Sequence, residues 1–103
     1  MKNIYFLYTA KAITLFDIRT KIKKENFCFS GNISFNIINS TKNTINSICI
    51  EVYVYDCNNN FIGYSNISVN NLKPNIIQHC DIDLYFKTKS ISYKLCIDIK
   101  NHD

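Results

Sequence analysis

From Ser47 to Asp56 the chain reads Ser-Ile-Cys-Ile-Glu-Val-Tyr-Val-Tyr-Asp, followed by Cys57-Asn58-Asn59-Asn60. Ile48, Ile50, Val52 and Val54 alternate with Cys49, Glu51, Tyr53 and Tyr55. A helix would scatter a two-residue period around its circumference, whereas a strand gathers it onto one face. Asn and Asp tolerate left-handed backbone angles and bond their own main chain, so the Asp-Cys-Asn-Asn-Asn run predicts a turn. A second strand returns from Phe61. The pattern predicts a central hairpin, which constrains the fold far more than the chemistry.

The same period recurs along the chain. Residues 3 to 8 form a β-prone apolar run. Residues 12 to 20 are ambiguous: Ile13 and Leu15 alternate with Thr14, Phe16 and Ile18, yet Leu15, Ile18 and Ile22 also fit a helical stripe. β-branched content favours a strand, with a short helix as the alternative. Lys21 to Asn26 reads as a charged connection. From Phe27 to Ile38, Phe27, Phe29, Gly31, Ile33, Phe35 and Ile37 share one face, opposite Cys28, Ser30, Asn32, Ser34 and Asn36. Such apolar-in, polar-out alternation is the mark of an antiparallel sheet with one wet side. Asn39 to Asn43 reads as a turn. Phe61 to Val69 is a strand in which Gly63 marks a bulge or a close approach, and Asn70 to Asn75 is a turn stopped by Pro74. Ile76 to Phe86 sets Cys80, Ile82, Leu84 and Phe86 against His79, Asp81, Asp83 and Tyr85. After a turn at Lys87-Thr88-Lys89, a last strand sets Ile91, Tyr93, Leu95, Ile97 and Ile99 against Ser92, Lys94, Cys96 and Asp98.

Six or seven strands at spacings of about ten residues predict an all-β fold, a sandwich or small barrel. With 103 residues the chain predicts a single domain over 1–103. Its 47% hydrophobic and 14% aromatic content is enough for a core and excludes a disordered chain. Ile, Asn and Lys are abundant, as an AT-rich genome would produce, so their enrichment carries no functional weight.

The net charge of +4 is mild, and five cysteines (Cys28, Cys49, Cys57, Cys80, Cys96) show no CxxC pair. An odd number excludes a fully paired disulfide framework in a monomer, and reduced thiols predict a cytoplasmic setting, with a secreted or cell-surface one as the alternative. Lys2, Ile4 to Tyr8 and Ala10-Lys11-Ala12 sketch a signal segment, but the apolar part is short and holds two tyrosines. No run is long enough to span a membrane.

The middle of the chain resembles the FxLYD family, small immunoglobulin-like sandwich domains. The matching pieces are Ile37-Ile38-Asn39-Ser40-Thr41, then Ile48 to Asp56, Asn60-Phe61-Ile62-Gly63, and Asn71-Leu72-Lys73-Pro74 before a strand. They cover about half the chain. Val52 stands where the family has Phe, Val54 where Leu is frequent, Phe35 where Gly is usual, and Asn75 where Gly commonly follows Pro. The resemblance implies an immunoglobulin-like antiparallel β-sandwich of about seven strands and a non-catalytic interaction module. Members are often attached outside the cell, and this chain carries no lipid-anchor cysteine near its start.

The chemistry present is sparse. His79, Asp81 and Asp83 would line one strand face about 7 Å apart per step, a row suited to a divalent cation. No second cluster adds ligands, so an ordinary wet strand face is the better reading. His79-Cys80 with Cys57 or His102 lacks zinc spacing, because neighbours in a strand point to opposite faces. Nothing local would activate a thiol. These readings predict no enzyme, no metal, no cofactor and no small-molecule substrate. Lys21, Lys23, Lys24, Lys87 and Lys89 form a basic rim, yet the phenylalanines alternate into the core, which argues against nucleic acid. Asn32, Asn39 and Asn66 begin Asn-x-Ser/Thr matches, expected by chance in an Asn-rich chain.

Tyr53 and Tyr55 lie opposite Ile50, Val52 and Val54, with Tyr64 able to sit across the hairpin from them. Tyrosines pair an apolar body with a polar tip and favour interfaces. The bland reading is a second sheet face partly covered by the N-terminal strands. Three functions are therefore expected in this order: a module that binds a protein partner, self-association included, through Tyr53, Tyr55 and Tyr64; a small phage- or mobile-element-encoded inhibitor of a host defence enzyme or nucleic-acid machine; and a nucleic-acid-binding sandwich.

Overall fold

The computed structural model describes residues 3–8, 13–88 and 92–99, all of its regular structure being strand. Seven strands follow one another: β1 (Asn3–Tyr8), β2 (Ile13–Lys24), β3 (Phe29–Asn39), β4 (Ile45–Tyr55), β5 (Phe61–Leu72), β6 (Ile77–Phe86) and β7 (Ser92–Ile99). They form a four-stranded sheet in the order β1-β7-β4-β5 and a three-stranded sheet in the order β2-β3-β6. All pairs are antiparallel except β1 with β7, which is parallel. The expected antiparallel sandwich thus has one mixed sheet, because the first strand joins the last.

The alternation read in the sequence places the core. Ile33, Phe35 and Ile37 from β3, Ile48, Ile50, Val52 and Val54 from β4, and Tyr93, Leu95 and Ile97 from β7 are almost fully buried. Ile82, Leu84 and Phe86 from β6 close over them. At roughly 2 kcal/mol for each large apolar side chain removed from water, these strands carry most of the driving force. Phe86 stacks on Phe29 with ring centroids 6.2 Å apart and planes 13° apart. Gly31 makes room for this pair: a Cβ there would lie 3.2 Å from Phe86 Cε1.

The ambiguous segment is a strand with a bulge. Leu15 pairs with Ile37 and Phe16 with Asn36, but the next pair is Arg19 with Ser34. Asp17 and Ile18 together oppose Phe35, and Asp17 takes φ 54°. The extra residue shifts the buried phase from Ile13 and Leu15 to Ile18, Thr20 and Ile22. That shift is what produced the apparent helical stripe. The strand also runs on to Lys24, through residues read as a connection.

Other boundaries move. Phe27 precedes β3 and is 95% exposed, so it leaves the face to which it was assigned. β5 extends to Leu72, past the expected turn at Asn70, and Ile76 and Ile77 are exposed. A register shift between Val54 and Tyr55 puts a bulge beside Gly63, where one was expected. Asp56 closes the hairpin turn, its Oδ1 accepting from the backbone N–H of Asn58 and Asn60, both at 2.9 Å. Asn59 takes φ 63°. Lys89 and Ile91 lie outside the described residues.

Asn39, expected in a turn, ends β3 fully buried. Its Nδ2 donates to Asn43 O at 2.8 Å and Leu72 O at 2.9 Å. Its Oδ1 accepts from Thr41 N at 2.9 Å and Thr41 Oγ1 at 2.6 Å. Its backbone O accepts from Asn75 N at 2.9 Å. One residue therefore ties the end of β3 to the end of β5 through its side chain and to the connection before β6 through its backbone. With both amide atoms engaged, Asn39 is closed to glycosylation in the folded chain.

Candidate interaction face

Register explains how the tyrosines meet. In the four-stranded sheet Tyr53 pairs with Tyr64 on β5 and with Lys94 on β7. Tyr55 pairs with Phe61 and Ser92, and Glu51 with Asn66 and Cys96. The inward set of β4 is buried, so these residues occupy the outer face. Tyr53 and Tyr64 rings lie 5.1 Å apart at 55°, and Phe61 stands 6.1 Å from both Tyr53 and Tyr55. Tilted contacts at this spacing are the favoured aromatic arrangement.

A carboxylate anchors the cluster. Tyr64 Oη donates to Glu51 Oε2 at 2.7 Å, and Tyr53 Oη donates to the same oxygen at 3.3 Å. Asn66 Nδ2 in turn donates to Tyr64 Oη at 3.1 Å. The Tyr64 phenol is raised above its ordinary value chiefly by its hydrogen bond to Glu51. Tyr53 is raised by desolvation first and then by the Glu51 charge. The rings are thereby fixed while part of the cluster stays open: Phe61 is 58% and Tyr64 44% exposed, with Tyr53 and Tyr55 half-buried.

The structure thus brings together all three tyrosines singled out in the sequence. Phe61 and Glu51 complete the cluster. Phe61 was read only as a strand start, although its position straight after the Asn turn opposite Tyr55 was the available signal. The N-terminal strands do not cover this face: β1 extends the edge of the same sheet, and β2 joins the other one.

The opposite outer face is mostly polar, with Ile77 and Tyr85 exposed on it. His79 Nε2 lies 3.1 Å from Asp81 Oδ2, and His79 Nδ1 meets Asn36 Oδ1 at 2.9 Å. Asn32 Nδ2 donates to Asp83 Oδ1 at 2.9 Å. His79 and Asp83 of the row read as an ordinary wet face in preference to a cation site meet cross-strand amides, Asp81 meets His79, and among the described residues no three His, Cys, Asp or Glu side chains cluster to hold a metal. Lys21, Lys23, Asn32, Asp83 and Tyr85 line an open depression of about 590 Å³ bearing both charge signs. Cys80 faces the core while His79 faces solvent, and burial with the Asp81 charge pushes the Cys80 thiol up to about 11. That pair offers no activated nucleophile. All five cysteines are free, and no helix is long and apolar enough to cross a membrane among the described residues.

Against known proteins, no family model, no curated protein and no solved structure matches this chain.

Proposed function

We propose that this chain is a non-catalytic protein-binding module that engages its partner through the outer face of β4 and β5. The single observation behind this reading is the Tyr53, Tyr55, Phe61 and Tyr64 cluster, in which Glu51 accepts from Tyr53 and Tyr64 and which is partly open to solvent. Rigid, amphipathic aromatic side chains lose little conformational entropy on binding and supply large contact areas, which makes them frequent anchors. A polar rim of Asn66, Ser68 and Lys94 surrounds them.

An immunoglobulin-like, FxLYD-like architecture accompanies this proposal. With β1 set aside, the orders β2-β3-β6 and β5-β4-β7 parallel an arrangement of strands A-B-E facing C′-C-F. β1 then stands beside β7, where the last strand of such a sandwich would lie.

The experiment compares resin-bound wild type with a Tyr53→Glu/Tyr55→Glu variant and, as the control face, His79→Ala/Asp81→Ala, in extract of the native host. A partner retained by wild type and the control but lost by the tyrosine variant supports the proposal. Equal capture by all three proteins removes the site.

A further inference from the structure

We infer that β1 is a self-pairing edge, through which two copies of this chain join as a two-fold dimer by antiparallel β1–β1 contact. The inference rests on the sheet edges and is independent of the aromatic face.

The two sheets have four edge strands: β1, β5, β2 and β6. An edge strand shows a row of unpaired N–H and C=O groups, and folded proteins usually guard it with charge, proline, bulges or a covering element. β2 carries Arg19, Lys21, Lys23 and Lys24, and it is broken by the bulge at Asp17. β6 carries His79, Asp81 and Asp83, all exposed. β5 has no charged residue, but it is interrupted by the bulge near Ile62 and by Asn71 at φ 56°, and it packs alongside β6. Three edges therefore have a guard.

Among the described residues, β1 has none of these devices. Its sequence Asn-Ile-Tyr-Phe-Leu-Tyr contains no charge, no proline and no glycine. Its pairing with β7 is unbroken across six registered pairs, from Asn3 with Ser92 to Tyr8 with Ile97. Successive residues of a strand direct their backbone groups to alternate sides. Half of those of β1 therefore face β7, and the other half face away from the sheet. A straight, uncharged, regular edge is a template for another strand.

The same features choose the occupant. Two β1 strands brought together antiparallel place no like charges opposite one another, which would otherwise oppose the pairing. An isologous contact of this kind closes after two copies, and it yields one continuous eight-stranded sheet in the order β5-β4-β7-β1 followed by its mirror order. A partner strand with basic or acidic gatekeepers would find no complementary charge on β1. The contact is short, so the dimer dissociates on dilution.

Light scattering of the wild type across a dilution series, with reducing agent present, tests the inference. The expected mass falls from twice the 12.0 kDa chain mass to that mass as the protein is diluted. Tyr5→Glu keeps an attractive register partner in Lys94 within the chain, but sets two carboxylates near the centre of the two-fold contact. It is expected to be monomeric throughout while retaining the wild-type β circular dichroism. As a readout that needs no variant, amide exchange of Asn3–Tyr8 in the wild type should lose protection on dilution. A wild type that is monomeric at every concentration overturns the inference. So does a dimer dissociated by Tyr53→Glu and not by Tyr5→Glu, or β1 protection that ignores concentration.

Discussion

The two outer faces of the sandwich stand on the same kind of foundation and do opposite things with it. Behind each lies a strand whose alternate residues are almost wholly buried, β4 on one side and β3 on the other. In front of β4 the outward residues are Cys49, Glu51, Tyr53 and Tyr55; in front of β3 they are Ser30, Asn32, Ser34 and Asn36. The amides of Asn32 and Asn36 on β3 meet Asp83 and His79 on β6. The result is a face on which Asn32, Asn36, His79, Asp81 and Asp83 already have partners. On β4 the carboxylate of Glu51 instead locks tyrosine rings into place and leaves their edges available. Core periodicity is therefore indifferent to function, and the outward half of the alternation decides it.

What joins the faces is Asn39, and removing its side chain should give the largest effect on stability. Asn39→Ala removes the donor to the buried carbonyl of Leu72 and, in a part-buried setting, the acceptor of Thr41 N and Oγ1 and one of the two donors to Asn43 O. Buried groups left unpaired cost about 1–3 kcal/mol each, so the loss should be roughly 3 kcal/mol in urea denaturation, with both faces lost in one transition. An unchanged urea midpoint would show that Asn39 does not tie the two sheets.

Gly31→Ala comes next and acts at the Phe86–Phe29 stack. The new methyl would press on Phe86 at 3.2 Å and disturb its stacking on Phe29. Overpacking of this kind costs about 1–2 kcal/mol. An unchanged midpoint would mean that the ring shifts freely and that the glycine is not required for packing.

Smaller still is the effect of His79→Ala/Asp81→Ala on the polar face. Both side chains are more than half exposed, and such pairs contribute little, about 0.5 kcal/mol or less. Thermal melts of this variant should nearly overlay the wild type. A large drop would give the polar face a structural weight that its exposure does not suggest.

How legible this molecule was in its sequence follows from which forces are local. The strands of the core were legible because burial acts on every second residue and leaves a period. The Asp56 turn was legible because Asp and Asn carry their own backbone partners. β2 blurred because one extra residue at Asp17 and Ile18 reverses the phase midway. Asn39 was misplaced because its partners lie on a distant strand, Leu72 being 33 residues away. The parallel pairing of β1 with β7 left no mark for the same reason: it joins opposite ends of the chain. For the candidate face, strand phase brings out Tyr53, Tyr55 and Tyr64, whereas adding Phe61 and Glu51 to their cluster requires the register of β4 on β5.

The smallest expected effect separates the two faces by pH, because among the described residues the displaced groups of the outer surface are Tyr53, Asp56 and Tyr64 on the β4–β5 hairpin and Cys96 beside them on β7. Asp56 is lowered from 3.8, first by the backbone N–H of Asn60 and further by that of Asn58. A lowered carboxyl adds stability above its unfolded value and gives it up as pH falls from about 3.8 toward the folded value. Tyr53 and Tyr64 are raised above 10.0, so their contribution is complete below pH 10.0 and fades as pH climbs past it. Asp56→Asn should therefore flatten the acid limb of a stability profile, and Tyr53→Phe with Tyr64→Phe the alkaline limb. The thiol of Cys80, displaced from 9.0 to about 11, weakens the fold over that same alkaline interval, so Cys80→Ala belongs in the series as its own control. If the tyrosine pair leaves the alkaline slope untouched while Cys80→Ala removes it, the loss arises in the core and the Glu51 hydrogen bonds do not tune the face. If the tyrosine pair flattens it, the ring hydroxyls are held in solution as they are here, and the rigid aromatic face is a property of the folded chain before any partner arrives.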